Sequence, residues 1–168
     1  MERNINQYSF IADAMLGKIA RKLRMFGFDT IYDSNIDDID ILDSSRYQDR
    51  IVLTSDRTLF KRCKKKGIDT ILTHRGTELE NLVTIFSALN IKSINSQKLP
   101  HLCTCCNGFL ATIIDKNLIK NQIPDRLLYS KKIFYVCTKC NKIYWIGTHV
   151  ERISCLIKEI NTKLKCLD

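Results

Sequence analysis

A chain of 168 residues with 45% hydrophobic content holds one ordinary domain, or one domain with a small module, and can bury a real core. Its net charge of +9 and pI near 9.2 point to a polyanionic partner, nucleic acid first among them. The start, MERNINQYSF, is charged and polar, and no run approaches a membrane span, so a cytoplasmic protein is expected rather than a secreted or membrane one.

The charge is unevenly spread. Residues 1–90 carry fourteen Lys and Arg against thirteen Asp and Glu, whereas residues 91–168 carry thirteen against five. An acidic site is expected in the first part and a polyanion-gripping surface in the second.

Taken in order, Ser9–Ala12 is a short apolar strand that ends at Asp13. Met15, Leu16, Ile19, Leu23 and Phe26 then recur at helical spacing, with Lys18, Arg21 and Lys22 on the opposite side and Gly27 at the expected C-terminal cap. Thr30–Tyr32 is a second strand, followed by an acidic turn and a helix from Ile39 to about Gln48. Arg50–Leu53 is a third strand, ending TSD with Asp56, and Leu59 and Phe60 lead a short helix bearing Lys61, Arg62, Lys64, Lys65 and Lys66. Thr70–Leu72 is a fourth strand, and Leu79, Leu82, Val83, Phe86 and Leu89 mark a fourth helix.

Strands alternating with helices over ninety residues predict a parallel α/β sheet with right-handed crossovers. Residues 91–100 read as a polar linker, residues 101–149 as a cysteine-bearing β-rich module, and 150–168 as a terminal helix free to pack on either part.

Asp13, Asp38 and Asp56 follow three successive strands. Each also begins a helix, where Asp is a favoured N-cap. Parallel strands gather their carboxyl ends on one edge, where ligands bind in open α/β sheets. Carboxylates converging there repel one another unless a cation is held between them, and hard oxygen ligands suit Mg²⁺ or Mn²⁺. Asp40 is the next candidate, and no Lys or Arg lies between Arg24 and Arg46 to neutralise this stretch. Thr54 and Ser55 read as small turn residues that also stand close enough to orient water or metal.

Three segments, FIADAMLGKIARKLRMFGFDT, DDIDIL and RIVLTSDR, resemble the PIN-like nuclease domain of the Mut-seven C-terminal RNase family. In that family the α/β unit is followed by a zinc ribbon, and the resemblance runs from about Phe10 to Arg152. It implies a metal-dependent ribonuclease with Asp13, Asp38 and Asp56 as acidic ligands of Mg²⁺ or Mn²⁺. Where many PIN-like domains carry a fourth acid after the fourth strand, this chain reads THRGTE, with His74 and Arg75 before Glu78.

Cys103 with Cys106 and Cys137 with Cys140 form two CxxC pairs thirty residues apart, the ligand set of a tetrahedral structural zinc site. Cys105 competes with Cys106, and His101 stands just before the first pair. Four thiolates leave no open position, so this zinc is structural.

Lys116, Lys120, Arg126, Lys131, Lys132, Lys139 and Lys142 alternate with Phe109, Tyr129, Phe134, Tyr135, Tyr144 and Trp145. Basic grooves with aromatic platforms bind single-stranded RNA, although these aromatics read equally as ribbon core. The residues expected to hold RNA are Lys18, Arg21, Lys22, Arg24, Arg57, Lys131, Lys132 and His149. The expected activity is metal-dependent hydrolysis of RNA. The alternative is a non-catalytic RNA-binding zinc-ribbon protein with a vestigial nuclease site.

Overall fold

The computed structural model describes residues 8–74, 76–95 and 101–167, with the side chains of 148–150 left out of the description. Four short strands, β1 (Ser9–Ala12), β2 (Asp29–Tyr32), β3 (Ile51–Thr54) and β4 (Thr70–Leu72), form an all-parallel sheet in the order β2-β1-β3-β4. The alternation of side chains along a strand divides the core in two. Phe10, Ala12 and Leu53 face one side; Ile11 and Val52 face the other.

On the first side lie α1 (Gly17–Phe26), α4 (Glu78–Ala88) and α6 (Thr148–Lys165). On the second lie α2 (Asp38–Gln48) and α3 (Arg57–Lys65), through Ile41, Leu42, Leu59 and Cys63. Helices on both faces explain why the strands are nearly continuous apolar runs.

Helix α1 ends as its sequence predicts. Gly27 takes φ +97°, its N–H donates to Arg24 O at 3.1 Å, and the Phe28 N–H reaches back to Leu23 O at 3.0 Å. This pair of hydrogen bonds satisfies carbonyls that the helix leaves unpaired, and Gly carries no Cβ to oppose the left-handed conformation. Met15, expected on the buried face, is 74% exposed, because residues 14–16 form a 3₁₀ turn ahead of α1 and rotate it outward.

The terminal helix belongs to the α/β core. Ile153, Ile157, Ile160 and Leu164 are buried with Leu82 and Phe86 of α4. The start of the stretch read as a linker is ordered with it: Ile91 and Ile94 are buried, and the Asn161 side chain exchanges two hydrogen bonds with the backbone of Ile94. Residues 96–100 lie outside the described residues.

The second unit is a three-stranded antiparallel sheet, β5 (Leu110–Ile113), β6 (Phe134–Cys137) and β7 (Ile143–Trp145). Between β5 and β6 a 3₁₀ turn at Lys116–Ile119 and the short α5 (Asp125–Ser130) cover a small core of Ile119, Leu128 and Phe134. Trp145 packs against that core, so the aromatic interleaving is in part structural.

The ribbon docks on β2, the edge strand. Arg24 is only 3% exposed; its Nε donates to Thr30 O at 2.9 Å and its Nη1 to Thr104 O and Cys105 O at 3.0 and 2.9 Å. Asn107 accepts from the Thr30 N–H and donates to Asp29, which also takes two hydrogen bonds from Arg50. A strand edge that would otherwise expose backbone groups is thereby closed.

Candidate functional site

The carboxyl edge of the sheet has its switch point between β1 and β3, since the chain leaves β1 toward β2 on one side and returns to β3 on the other. Asp13 stands there, its N–H bound to Leu53 O at 2.9 Å. Its Oδ2 accepts the hydroxyl of buried Thr54 at 2.7 Å, and the same hydroxyl accepts the N–H of Asp56 at 2.9 Å. Thr54, read from sequence as a turn residue, is the link between two of the three candidate acids. Nothing in its type marks that role; its place as the last residue of β3, two before Asp56, is the only signal.

Asp56 caps α3 through the Thr58 N–H. Asp38 is the first residue of α2, and its carboxylate is ion-paired with Arg62 of α3. Asp37, not Asp38, caps that helix.

Asp40 is exposed on α2, on the side of the helix opposite the Ile41, Leu42 and Ser45 that meet the sheet. Arg24, expected to hold RNA, has its guanidinium bound to three backbone carbonyls between the two units. Burial pulls its pKa down while the neighbouring Cys103, Cys106 and Cys105 oppose the shift.

Beside Asp13 a groove of about 680 Å³ runs between the starts of α1 and α4, lined among others by Lys18, Arg21, Tyr32, Thr77, Glu78 and Asn81. Gly17 borders it because a Cβ there would lie 2.5 Å from the Tyr32 hydroxyl. Lys22 stands 3.8 Å from Glu78, the acid nearest the place of a fourth ligand. Arg57 is exposed beside Asp56, Lys132 is exposed and Lys131 half-buried on the ribbon. Arg75 and the side chain of His149 lie outside the described residues.

Among the described residues, one group of three or more potential ligands converges at metal-binding distance: Cys103, Cys106, Cys137 and Cys140, with all four sulfurs within 4.8 Å of one another. The Cys103–Cys140 and Cys106–Cys137 sulfurs are 3.6 and 3.4 Å apart. Tetrahedral zinc with bonds of about 2.3 Å needs sulfurs about 3.8 Å apart, so the four fit that ion. Packed this closely, the thiols shift one another's protonation. Burial pushes the Cys103 thiol up, yet hydrogen bonds from Tyr144 and from the Cys106 and Cys105 backbone bring it down to about 6. Cys140, despite an N–H from Lys142, is pushed up to about 12 by burial and by its thiol neighbours.

The close approach of the two knuckles requires Gly108, where a Cβ would lie 2.9 Å from the Cys137 sulfur. Cys105 is exposed and outside the cluster. The three aspartates do not converge in this way. Mg²⁺ is commonly held by one or two carboxylates while keeping its waters, so the looser Asp13–Thr54–Asp56 arrangement suits its chemistry.

A parallel α/β unit with acids at its switch point is clasped to a ribbon whose four thiols could hold zinc, which sets the class as an α/β protein with a ribbon module. The family model described as the Mut7-C RNAse domain matches residues 8–157, and the chain belongs to that family. No curated protein matches it. No helix among the described residues is long and apolar enough to cross a membrane.

Proposed function

We propose that the protein is a metal-dependent ribonuclease that hydrolyses RNA phosphodiester bonds at the carboxyl edge of its parallel sheet. The observation that carries this reading is the Asp13–Thr54–Asp56 hydrogen-bond relay at the switch point, in a chain of an RNAse-domain family. Asp13 and Asp56 would hold Mg²⁺ or Mn²⁺, with Asp38 completing the site. Such an ion, when bound, supplies a Lewis acid and a water of lowered pKa.

The chain's own residues do the rest. Thr54 donates to Asp13 and so holds that carboxylate in one orientation, fixed in turn by the backbone of Asp56. Lys18 and Arg21, lining the groove beside Asp13, take the phosphate oxygens of the strand. Lys22, facing Glu78, contributes less. Attack of water forms a new bond from its oxygen to phosphorus and breaks the bond to the leaving oxygen; the proton that the water gives up balances the one that the leaving oxygen takes.

The ribbon's Lys131 and Lys132, with exposed Tyr129 and Phe109, give RNA a second hold. Zinc in the ribbon is structural. A reducing cytoplasm suits four thiolates kept for metal.

One observation favours the second reading, a non-catalytic RNA-binding protein: Asp38 is already neutralised by Arg62. Cleavage of a panel of structured and single-stranded RNAs separates the two. Wild type and Asp56→Asn are each assayed with Mn²⁺, with Mg²⁺ and with no added divalent ion. The nuclease reading expects metal-dependent cutting reduced at least about a hundredfold in the variant, as for other losses of transition-state charge stabilisation. Asn replaces Asp well as an N-cap, so stability stays within about 0.5 kcal/mol. RNA binding without cutting, equal in both proteins, overturns it.

A further inference from the structure

Helix α3 has a charge pattern that neither its packing nor the groove explains. Leu59 and Cys63 are its buried residues. Arg57, Lys61, Lys64 and Lys65 follow the spacing i, i+4, i+7, i+8 and form one exposed stripe across the helix from that buried pair. No acidic residue occurs between Arg57 and Lys65.

Among the described residues the ion pairs are Lys22–Glu78, Arg50–Asp29 and Arg62–Asp38, and none involves the stripe. Like charges at these spacings destabilise a helix by about 0.2–0.5 kcal/mol per pair. Mixed charges on a surface would avoid that cost, and here the signs are sorted by helix. On the same face of the sheet, α2 carries Asp38, Asp40 and Asp43 against Arg46 alone. Segregated charge of this kind focuses a field on a polyanion.

The stripe also has a definite origin. Asp56 is the N-cap of α3, so the helix starts at the carboxyl edge of the sheet and runs back along it. Its nine residues extend about 13 Å, the length of about four stacked nucleotides. The sole aromatic on the helix, Phe60, is half-buried and lies under the Lys64 ammonium, 5.7 Å from the ring centroid. It offers no free platform for a base, so such a surface reads phosphates and not sequence.

We propose that the exposed face of α3 is a track for the phosphate backbone of an RNA strand, carrying it away from the Asp13–Asp56 edge. The identity of the polyanion rests on the ribonuclease reading above. The phosphate-binding surface is testable without any cleavage.

The test compares two triple variants of the zinc-loaded full chain with the same change in net charge: Lys61→Gln/Lys64→Gln/Lys65→Gln on α3, and Lys158→Gln/Lys163→Gln/Lys165→Gln on α6. Binding of a labelled single-stranded RNA is followed by anisotropy from 0.05 to 0.5 M salt, with no added Mg²⁺ or Mn²⁺. Three lost phosphate contacts lower the steepness of log K against log salt by about 2, so the variant's deficit against wild type is about a hundredfold greater at 0.05 M than at 0.5 M. The α6 variant keeps the wild-type slope, and replacement of the three α3 lysines by Arg restores it. Equal losses in the two triple variants, or an unchanged α3 slope, overturn the proposal.

Cleavage by the same preparations separates the two readings. Wild-type cutting with an unchanged α3 slope removes the track and leaves the nuclease. A reduced slope without any cutting leaves the track and removes the nuclease.

Discussion

The two candidate metal regions of this molecule are built on opposite plans. The four cysteines stand within 4.8 Å of one another on two tight knuckles, each set by an Asn of positive φ just after its second cysteine: Asn107 at +65° and Asn141 at +60°. The aspartates are spread along a sheet edge, one tied to Thr54, one to the backbone of α3 and one to an arginine. A soft, closed site holds its ion as part of the fold, whereas a hard, open site leaves positions for water and a substrate phosphate. On that plan the ribbon is expected to need its metal to fold, and the sheet edge is not.

Cys137→Ser is the largest break in that comparison. Structural zinc contributes about 10 kcal/mol or more in small metal-folded units, and β5–β7 hold little core of their own. Metal analysis is expected to find zinc lost, and hydrogen exchange to find protection gone from residues 110–145 while β1–β4 stay protected. Protection retained across the ribbon in a zinc-free variant would make the two regions alike.

Arg24→Met follows in size. It removes the donor to three carbonyls while roughly keeping the volume of the side-chain stem, leaving buried acceptors unpaired at about 1–3 kcal/mol each at most. Denaturant unfolding is expected to give a loss of about 3 kcal/mol. Zinc binding, which needs only the knuckles, persists. Concerted loss of zinc would mean that clasp and metal site are one cooperative unit.

Asp29→Asn sharpens the same junction with the smallest effect. Burial raises the Asp29 pKa, but the hydrogen bonds from Arg50 and Asn107 outweigh it and hold the carboxyl below its ordinary 3.8. A depressed pKa contributes stability that is present above the unfolded value and lost as pH falls through the folded one. With the pair partly exposed, wild type should exceed the variant by about 1 kcal/mol or less at pH 7. That gap is expected to close as the pH drops below 3.8, read from urea midpoints across the acid range. A gap independent of pH would assign the effect to shape and not charge.

Much of this fold was legible because local patterns and tertiary needs agree. Strands read at Ser9–Ala12 and Thr70–Leu72 have those bounds in the structure, and those read at Thr30–Tyr32 and Arg50–Leu53 differ by a residue at one or both ends. Gly27 ends α1 where the periodicity stops. The short helices between β5 and β6 are not legible in the sequence, since segments of four and six residues carry too little periodicity to stand out.

Among the site residues, the cysteine spacing went furthest, because CxxC fixes two sulfurs within one turn of chain, while the fold alone set Cys105 aside as exposed and outside the cluster. Spacing also put Asp13 and Asp56 at strand ends, and from that their common edge followed. Only the tertiary structure decided which charges stay free. Asp40 and Asp38 are two residues apart, yet helical rotation turns one outward and leaves the other beside Arg62. Arg24 and Arg21 are three apart on one helix, and the ribbon, arriving from eighty residues downstream, buries the first and leaves the second to solvent. A sequence records a side chain's charge and its position along the chain; which partner satisfies that charge depends on surfaces that meet only when the chain has folded.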